Sequence, residues 1–144
     1  MSLAPLIEAP WVILTHVAAV AVSLLLGPLQ LILPKGTRAH RMMGRVWSGA
    51  MVIACLSALL ILDRPIPPNL GPFSWLHLLA VFTLVLLYRA VRLARASKIE
   101  KHRKAMLGLV LLGLGVPAVF AVAVPHRILN RALFETQNDA RPSP

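Results

Sequence analysis

Acidic side chains are scarce in this chain, which has five Asp and Glu residues against fifteen Lys and Arg residues in a length of 144. No acid lies within an apolar run, so the sequence lacks the paired carboxylates of a hydrolytic site and the membrane-buried carboxylate of a typical proton-coupled transporter. Cysteine occurs once, at Cys55, which excludes a disulfide framework within the chain and favours a core-filling role. The sequence also lacks a glycine-rich phosphate loop.

Charged residues make up only 14% of the chain, whereas 58% is apolar and the mean hydropathy is +0.75. A soluble domain of this size would need more polar residues to cover its surface. The apolar residues form long runs without strand-like alternation, which predicts membrane-spanning helices and not a barrel. The charges behind the net value of +10 lie between these runs, so we interpret them as a topology signal and expect no nucleic-acid partner.

Four of the apolar runs are long enough to cross a lipid bilayer. They predict an all-α, integral membrane four-helix bundle in one domain over residues 1–134, followed by a polar tail at 135–144. The predicted helices cover approximately residues 11–33, 40–62, 73–94 and 102–124. The first run lacks a basic n-region and a cleavage site, so we expect it to be a membrane helix and not a signal peptide.

Positive charge is concentrated on one side of the predicted bundle. The links after the first and third helices, with the helix ends that adjoin them, carry eleven of the fifteen Lys and Arg residues and one acid, Glu100. On the other side, the positive and negative side chains are equal in number, so the net charge there is zero. The positive-inside rule therefore predicts a multi-pass protein of the cytoplasmic (inner) membrane, with both basic links inside and both termini outside.

Four of the five histidines lie near the starts of the four predicted helices. Because successive helices run in opposite directions, His16 and His77 fall near the outer face, and His40 and His102 near the inner face. The spacing between His16 and His40 nearly equals that between His77 and His102, and similar residues follow the second histidine of each pair. This pattern predicts two helical hairpins related by a pseudo-two-fold axis along the membrane normal.

Two facing histidine pairs at two depths are what two stacked haems require, since a haem iron in an electron carrier takes two axial ligands. We therefore predict two b-type haems. His16 and His77 are the predicted iron ligands of the outer haem, and His40 and His102 those of the inner haem.

Haem propionates need cationic partners, and the sequence offers Arg41 and Arg103 for the inner haem and Arg127 for the outer one. The alternative is that the histidines only anchor helix ends in the headgroup region. This alternative suits His40 and His102 best, because arginines flank them.

The helix faces that carry the histidines mix small residues with bulky apolar ones. On the first helix the face contains His16, Ser23, Gly27 and Gln30. On the fourth helix it contains His102, Met106, Leu109, Gly113 and Val116. Such faces would accommodate a flat cofactor between helices, and would equally allow two helices to pack closely.

The fifth histidine, His126, follows the last helix on the outer side and breaks the symmetry. Three roles are open for it: a substrate- or proton-handling group, a third ligand of an outer metal site with His16 and His77, or an interfacial histidine beside Arg127. Two roles are likewise open for Gln30: a hydrogen-bond partner between helices or a quinone contact.

The whole chain resembles a family of small bacterial four-helix membrane proteins of unknown function, over about residues 10–134. This resemblance implies a fold and a bacterial membrane, but no activity. The segments that carry it are Thr15-His16-Val17, Gly27-Pro28-Leu29-Gln30, His40-Arg41 to Trp47, Gly71-Pro72-Phe73 to Leu79, and His102-Arg103-Lys104-Ala105-Met106.

The four-histidine layout is also similar to the core of the transmembrane di-haem cytochrome b family related to ascorbate-reducible ferrireductases. That family pairs histidines of alternate helices around one haem near each membrane face, and the two histidine pairs of this chain match the arrangement. The chain departs from it in having four predicted helices where that family usually has six, and in lacking an ascorbate or iron-chelate motif.

The leading hypothesis is therefore a transmembrane di-haem b-type cytochrome that moves electrons across the bilayer, with a quinone or a redox protein as partner. The main alternative is a cofactor-free accessory or structural subunit of a larger membrane complex, whose helices present apolar faces to partner helices. A third hypothesis is a small channel or transporter lined by histidines. The sequence leaves open whether the protein is an enzyme.

Overall fold

A computed structural model describes residues 9–62, 69–70 and 73–123. Within these residues lie four helices, each long and apolar enough to span a membrane, and one short antiparallel pair, Asn69–Leu70 with Phe73–Ser74. This confirms the predicted all-α four-helix fold. The predicted polar tail at 135–144 lies outside the described residues. The helices are α1 (Trp11–Ile32), α2 (Arg38–Leu60), α3 (Trp75–Arg95) and α4 (Ile99–Ala123).

The helix starts follow from local capping. The Thr37 side chain accepts a hydrogen bond from the backbone N–H of His40, so α2 begins at Arg38 and His40 lies within its first turn. Ser74 is the N-cap of α3. The turn between α1 and α2 includes Gly36, whose φ of 78° lies in the left-handed region that glycine adopts without strain.

The connection between α3 and α4 is a turn of only three residues. Ser97 adopts a φ of 56°, and its N–H donates to the carbonyl of Ala94 at 3.1 Å. The N–H of Lys98 donates to the carbonyl of Leu93 at 2.9 Å. These two bonds form a Schellman motif, which satisfies carbonyls at the end of α3 and lets α4 begin at Ile99, before the predicted start at 102.

The fourth helix is not α-helical throughout. Its middle section, Leu109–Gly115, is a π-helix, and the N–H of Val116 donates to the carbonyl of Leu111, five residues back. Pro117 follows directly. Because proline has no N–H and its ring clashes with the carbonyl four residues earlier, a widened turn before it is a natural accommodation.

Successive helices pack against each other, and the π-helical section of α4 contacts α1 and closes the ring. The turns after α1 and α3 therefore lie at the same end of the bundle. We call this end, with the turns at 33–37 and 96–98, the basic end, and the other the opposite end.

Helices α1 and α2 form the most extensive contact, and a tryptophan lies at its centre. Trp47 is fully buried, and its indole N–H donates to the backbone carbonyl of Ser23 on α1 at 3.0 Å. A Cβ placed on Gly27 would lie 3.3 Å from the indole nitrogen, so glycine at this position gives the ring access to the α1 backbone. The buried residues Ala19, Ser23 and Gln30 continue the same face of α1, which is largely the face predicted from the sequence.

The predicted inner face of α4 extends to Gly113, where a Cβ would lie 3.1 Å from the buried side chain of Thr83, and fails at Val116. Met106 and Leu109 are buried in the core, as expected. Beyond them Leu114 is buried and Val116 is 44% exposed, so the prediction for Val116 is wrong. The π turn adds a residue per turn relative to the 100° spacing, and this rotates the helix face that follows it.

Replacement of Trp47 by phenylalanine should lower the stability of the bundle by about 1–3 kcal/mol, because the Ser23 carbonyl loses its indole donor and a void forms in a fully packed core. Thermal unfolding in detergent micelles measures the effect. Trp11→Phe is the matched control, since Trp11 is 72% exposed. Equal losses in the two variants would contradict the importance of the buried indole.

Candidate functional site

Four histidines of the described residues occupy the two ends of the bundle. His40 and His102 lie in the first turns of α2 and α4 at the basic end, and His16 and His77 lie near the starts of α1 and α3 at the opposite end. This is the depth pattern expected from the sequence. The fifth, His126, and the predicted propionate partner Arg127 lie outside the described residues.

The ring of His102 is held by the neighbouring helix. Its Nδ1 lies 2.9 Å from the carbonyl oxygen of Ala90, which is fully buried on α3. A carbonyl oxygen only accepts hydrogen bonds, so Nδ1 carries the proton and donates. In the neutral ring the lone pair is therefore on Nε2, the atom through which such a histidine would bind a metal or accept a proton.

His16 makes the same kind of hydrogen bond, to a backbone carbonyl of a neighbouring helix, at the opposite end. Its Nδ1 lies 2.9 Å from the carbonyl oxygen of Ala54 and 3.1 Å from the hydroxyl oxygen of Ser57, both on α2. The Ser57 hydroxyl itself lies within hydrogen-bond distance of the carbonyls of Ile53 and Ala54. Nδ1 of His16 thus donates to the Ala54 carbonyl, and the neutral ring has its lone pair on Nε2.

His77 has the reverse arrangement. The backbone N–H of Ser74 donates to Nδ1 of His77 at 3.1 Å, which makes His77 part of a capping box at the start of α3. A backbone N–H can only donate, so Nδ1 must supply the lone pair and the neutral ring carries its proton on Nε2. This tautomer does not present a ligating lone pair at Nε2.

His40 lies beside Gln30 of α1, whose amide nitrogen donates to the His40 backbone carbonyl at 2.8 Å. His40 and His102 lie at the same end of the bundle, near enough for their charges to interact. Among the described residues, Nδ1 of His40 and Oε1 of Gln30 are buried atoms with no hydrogen-bond partner. Each can take one further hydrogen bond, from a water molecule or a polar ligand.

Gly44 makes this arrangement sterically feasible. A Cβ built at Gly44 would lie 3.0 Å from the amide nitrogen of Gln30, which is tighter than most real Cβ contacts, so the Gln30 side chain would have to shift by a few tenths of an ångström. The small residue therefore leaves space for Gln30, which is 6% exposed, to lie flat against α2 and reach the carbonyl of His40. Of the two roles open for Gln30, the interhelical hydrogen bond is present.

The two arginines predicted to serve the inner site are both exposed. Arg41 is directed toward the turn after α1, where its guanidinium donates to the carbonyl of Gly36 at 3.0 Å. Lys35 donates to the carbonyl of Gln30 at 3.0 Å and so covers the end of α1. Arg103 lies on α4, next to His102.

No group of three His, Cys, Asp or Glu side chains that could hold a metal ion occurs within the described parts of the chain. The three-histidine site considered for the outer side includes His126, which lies beyond residue 123.

The groups that orient the histidines were not found by sequence reasoning, because two of the three are backbone atoms of neighbouring helices. Ala54 and Ala90 accept through their carbonyls, and their only sequence signal is a small side chain that lets an imidazole approach the backbone. The cap on His77 did have a signal. Ser74 stands three residues before the histidine, and this is the spacing of a capping box.

Comparison with known proteins places most of the chain in one family model. The model described as predicted membrane protein (DUF2306) matches residues 13–134. No curated protein and no solved structure matches the chain.

Substitution of Gly44 by alanine should displace Gln30 and weaken its bond to the His40 carbonyl, at a cost of about 1 kcal/mol. Gly49→Ala is the matched control on the same helix, because a Cβ there meets nothing within 4 Å. It should leave stability unchanged or raise it by up to about 1 kcal/mol through helix propensity. Thermal unfolding of both variants in one detergent shows whether the change in stability has opposite sign in the two. A Gly44→Ala variant at least as stable as the wild type would refute the prediction.

The ring tautomers can be read directly by long-range ¹H–¹⁵N correlation spectra of ¹⁵N-histidine-labelled protein at alkaline pH. His16 and His102 should carry the proton on Nδ1, and His77 on Nε2, because of the groups they contact. Single His→Gln variants assign the signals. The same tautomer at His77 and His102 would contradict the geometry.

Proposed function

The chain belongs to the DUF2306 family of predicted membrane proteins, and from this premise we propose that it is a membrane-spanning electron carrier with b-type haem ligated by histidines of alternate helices. The proposal depends on one observation above all: His40 of α2 and His102 of α4 lie in first turns at the same end of the bundle, near enough for their charges to interact. Two imidazoles from different helices at one depth are what bis-histidine ligation requires.

Two further features support an inner haem at this pair. The Ala90 carbonyl fixes the tautomer of His102, so that a basic Nε2 is available as a ligand, and a hydrogen bond of this kind to the other ring nitrogen is typical of metal-ligating histidines. Nδ1 of His40 has no hydrogen-bond partner among the described residues, so it is available to a bound group or to water.

In this role the chain itself does three things. Ala90 orients His102, Gln30 fixes the backbone at His40, and the arginines at the basic end supply positive charge for carboxylates. A bound haem would supply reversible one-electron chemistry. Oxidised haem carries one more positive charge than reduced haem, so nearby cations and burial would both disfavour the oxidised state and raise the potential.

The second, outer haem fits the described geometry less well. Nε2 of His16 has the lone pair that a ligand needs, whereas the cap at Ser74 assigns the proton of neutral His77 to Nε2. His77 would have to leave the capping box before it could ligate through Nε2. We therefore restrict the proposal to the inner site, and the outer pair stays a prediction from the sequence.

A quinone or redox protein of the bacterial inner membrane remains the proposed partner, with the basic end on the cytoplasmic side. The free acceptor capacity of Gln30 Oε1, beside His40, would suit the hydroxyl of a quinol. This orientation follows from the distribution of Lys and Arg residues alone.

A second candidate function has an observation in its favour. The core contains the buried residues Trp47, Met51, Leu87, Ala90 and Leu109, which pack against one another across the helices. Such packing stabilises the bundle without a cofactor, as expected for an accessory subunit of a membrane complex. The two candidates differ in whether the purified protein carries a chromophore.

The visible spectrum of purified protein, produced with ample haem supply and recorded oxidised and then dithionite-reduced, tests the proposal. We expect a Soret band and a b-type α band, and their loss from the inner site in His40→Ala and in His102→Ala. Met106→Leu is the control, because it removes a sulfur from the same core while keeping its bulk.

A wild-type protein without a Soret band would refute the haem proposal and favour the accessory role. An unchanged spectrum in both histidine variants would show that any haem is bound elsewhere. A loss in the Met106→Leu variant equal to that of the histidine variants would show that the bands report packing and not ligation.

A further inference from the structure

A groove of about 440 Å³ lies beside the last turns of α3 at the basic end. It does not include the histidines, and nothing said of it depends on haem. We call it the α3 groove. It is lined by Tyr88, Arg89, Arg92, Leu93, Ala96 and Lys98.

The groove combines three cations with an apolar lining. Arg89, Arg92 and Lys98 supply the charge, while Leu93 and Ala96 supply aliphatic surface. Glu100 is the only acidic residue in the described parts of the chain, so the described residues leave the positive charge of the groove largely uncompensated. A ligand that fits must therefore be anionic at one end and apolar at the other.

Local structure orders one of the cations and the backbone that carries another. The Arg92 guanidinium donates to the hydroxyl of Tyr88 at 3.1 Å and lies 5.8 Å from the centre of the Tyr88 ring, a cation–π distance. Lys98 is fixed at the backbone by the Schellman motif, in which its N–H bonds to the carbonyl of Leu93. Positions that are already ordered lose less entropy when a ligand binds.

The depth of the groove identifies the kind of ligand. It begins at Tyr88, near the end of the membrane-spanning helix α3, and ends in the turn that follows. Tyrosine and arginine at the end of a span lie at the level of the lipid headgroups, and basic pockets at this level bind anionic headgroups. The neighbouring exposed residue Val85 continues the side of α3 into the apolar part of the span, where acyl chains would lie.

We propose that the α3 groove binds the headgroup of an anionic phospholipid, with the phosphate between Arg89, Arg92 and Lys98. The guanidinium groups match phosphate geometry with paired N–H donors. The Leu93 and Ala96 side chains contact the glycerol and the first acyl carbons. The site retains one lipid against exchange with the bulk bilayer.

The test is lipid-induced thermal stabilisation of the intact protein in zwitterionic detergent. Dioleoyl-phosphatidylglycerol is titrated against wild type, with dioleoyl-phosphatidylcholine and inorganic phosphate in parallel. Wild type should be stabilised by phosphatidylglycerol alone. In Arg89→Gln/Arg92→Gln the lipid concentration for half-maximal stabilisation should rise about tenfold or more, because each cation near such a surface contributes on the order of one kcal/mol.

Arg38→Gln/Arg45→Gln is the matched control, since it removes the same charge from the basic end but from α2, outside the groove. It should respond to phosphatidylglycerol within about twofold of wild type. Lys98→Gln serves as a second groove variant if the double arginine variant does not fold, and should weaken binding several-fold.

Three results would overturn the proposal. Equal weakening in the groove and control variants would show general charge attraction. Equal stabilisation by phosphatidylcholine would show that the headgroup charge is irrelevant. Stabilisation by inorganic phosphate at the same concentration would assign the groove to soluble anions and not to lipid.

Discussion

The bundle depends on a close backbone approach between α1 and α2. In a membrane the hydrophobic effect does not drive helices together, so association requires tight packing and interhelical hydrogen bonds. Here the indole N–H of Trp47 reaches the carbonyl of Ser23 because Gly27 has no side chain in the way. One turn further along, Gly44 gives Gln30 the same access to the carbonyl of His40. In the first contact the large residue lies on α2 and the glycine on α1. In the second contact the large residue lies on α1 and the glycine on α2.

The close packing of the helices also orients two of the histidines. His16 is oriented by a backbone carbonyl of the following helix and His102 by one of the preceding helix, so the helix packing that holds the bundle also fixes their tautomers. His77 instead serves the start of its own helix. The pseudo-symmetric spacing of the four histidines therefore does not extend to their hydrogen bonds. Equal spacing places side chains at equal depth, but their protonation depends on which donor or acceptor they meet.

Much of the fold could be predicted from the sequence, because hydrophobic length and charge distribution act over whole segments. The four spans, the cap at Ser74 and most of the buried face of α1 follow from such patterns. The orientation of α4 beyond Gly113 could not, since constant helical spacing puts Val116 on the inner face and the π turn breaks that spacing. For the candidate site, the sequence predicted which end of the bundle each histidine occupies, but not the hydrogen bonds that decide its tautomer. The atoms that decide the tautomers of His16 and His102 belong to the main chain, and every residue type carries them.

The π turn also divides α4 into two parts that differ in how far they are packed into the core. Before it, Met106 and Leu109 are locked into the core, whereas none of the residues of Val116–Ala123 is buried, and Phe120 makes an edge-to-face contact with Trp75 at 5.5 Å. Because so few core contacts hold this segment, tilting it would break little packing. A mismatch with the thickness of the hydrocarbon layer would therefore be accommodated here at low cost.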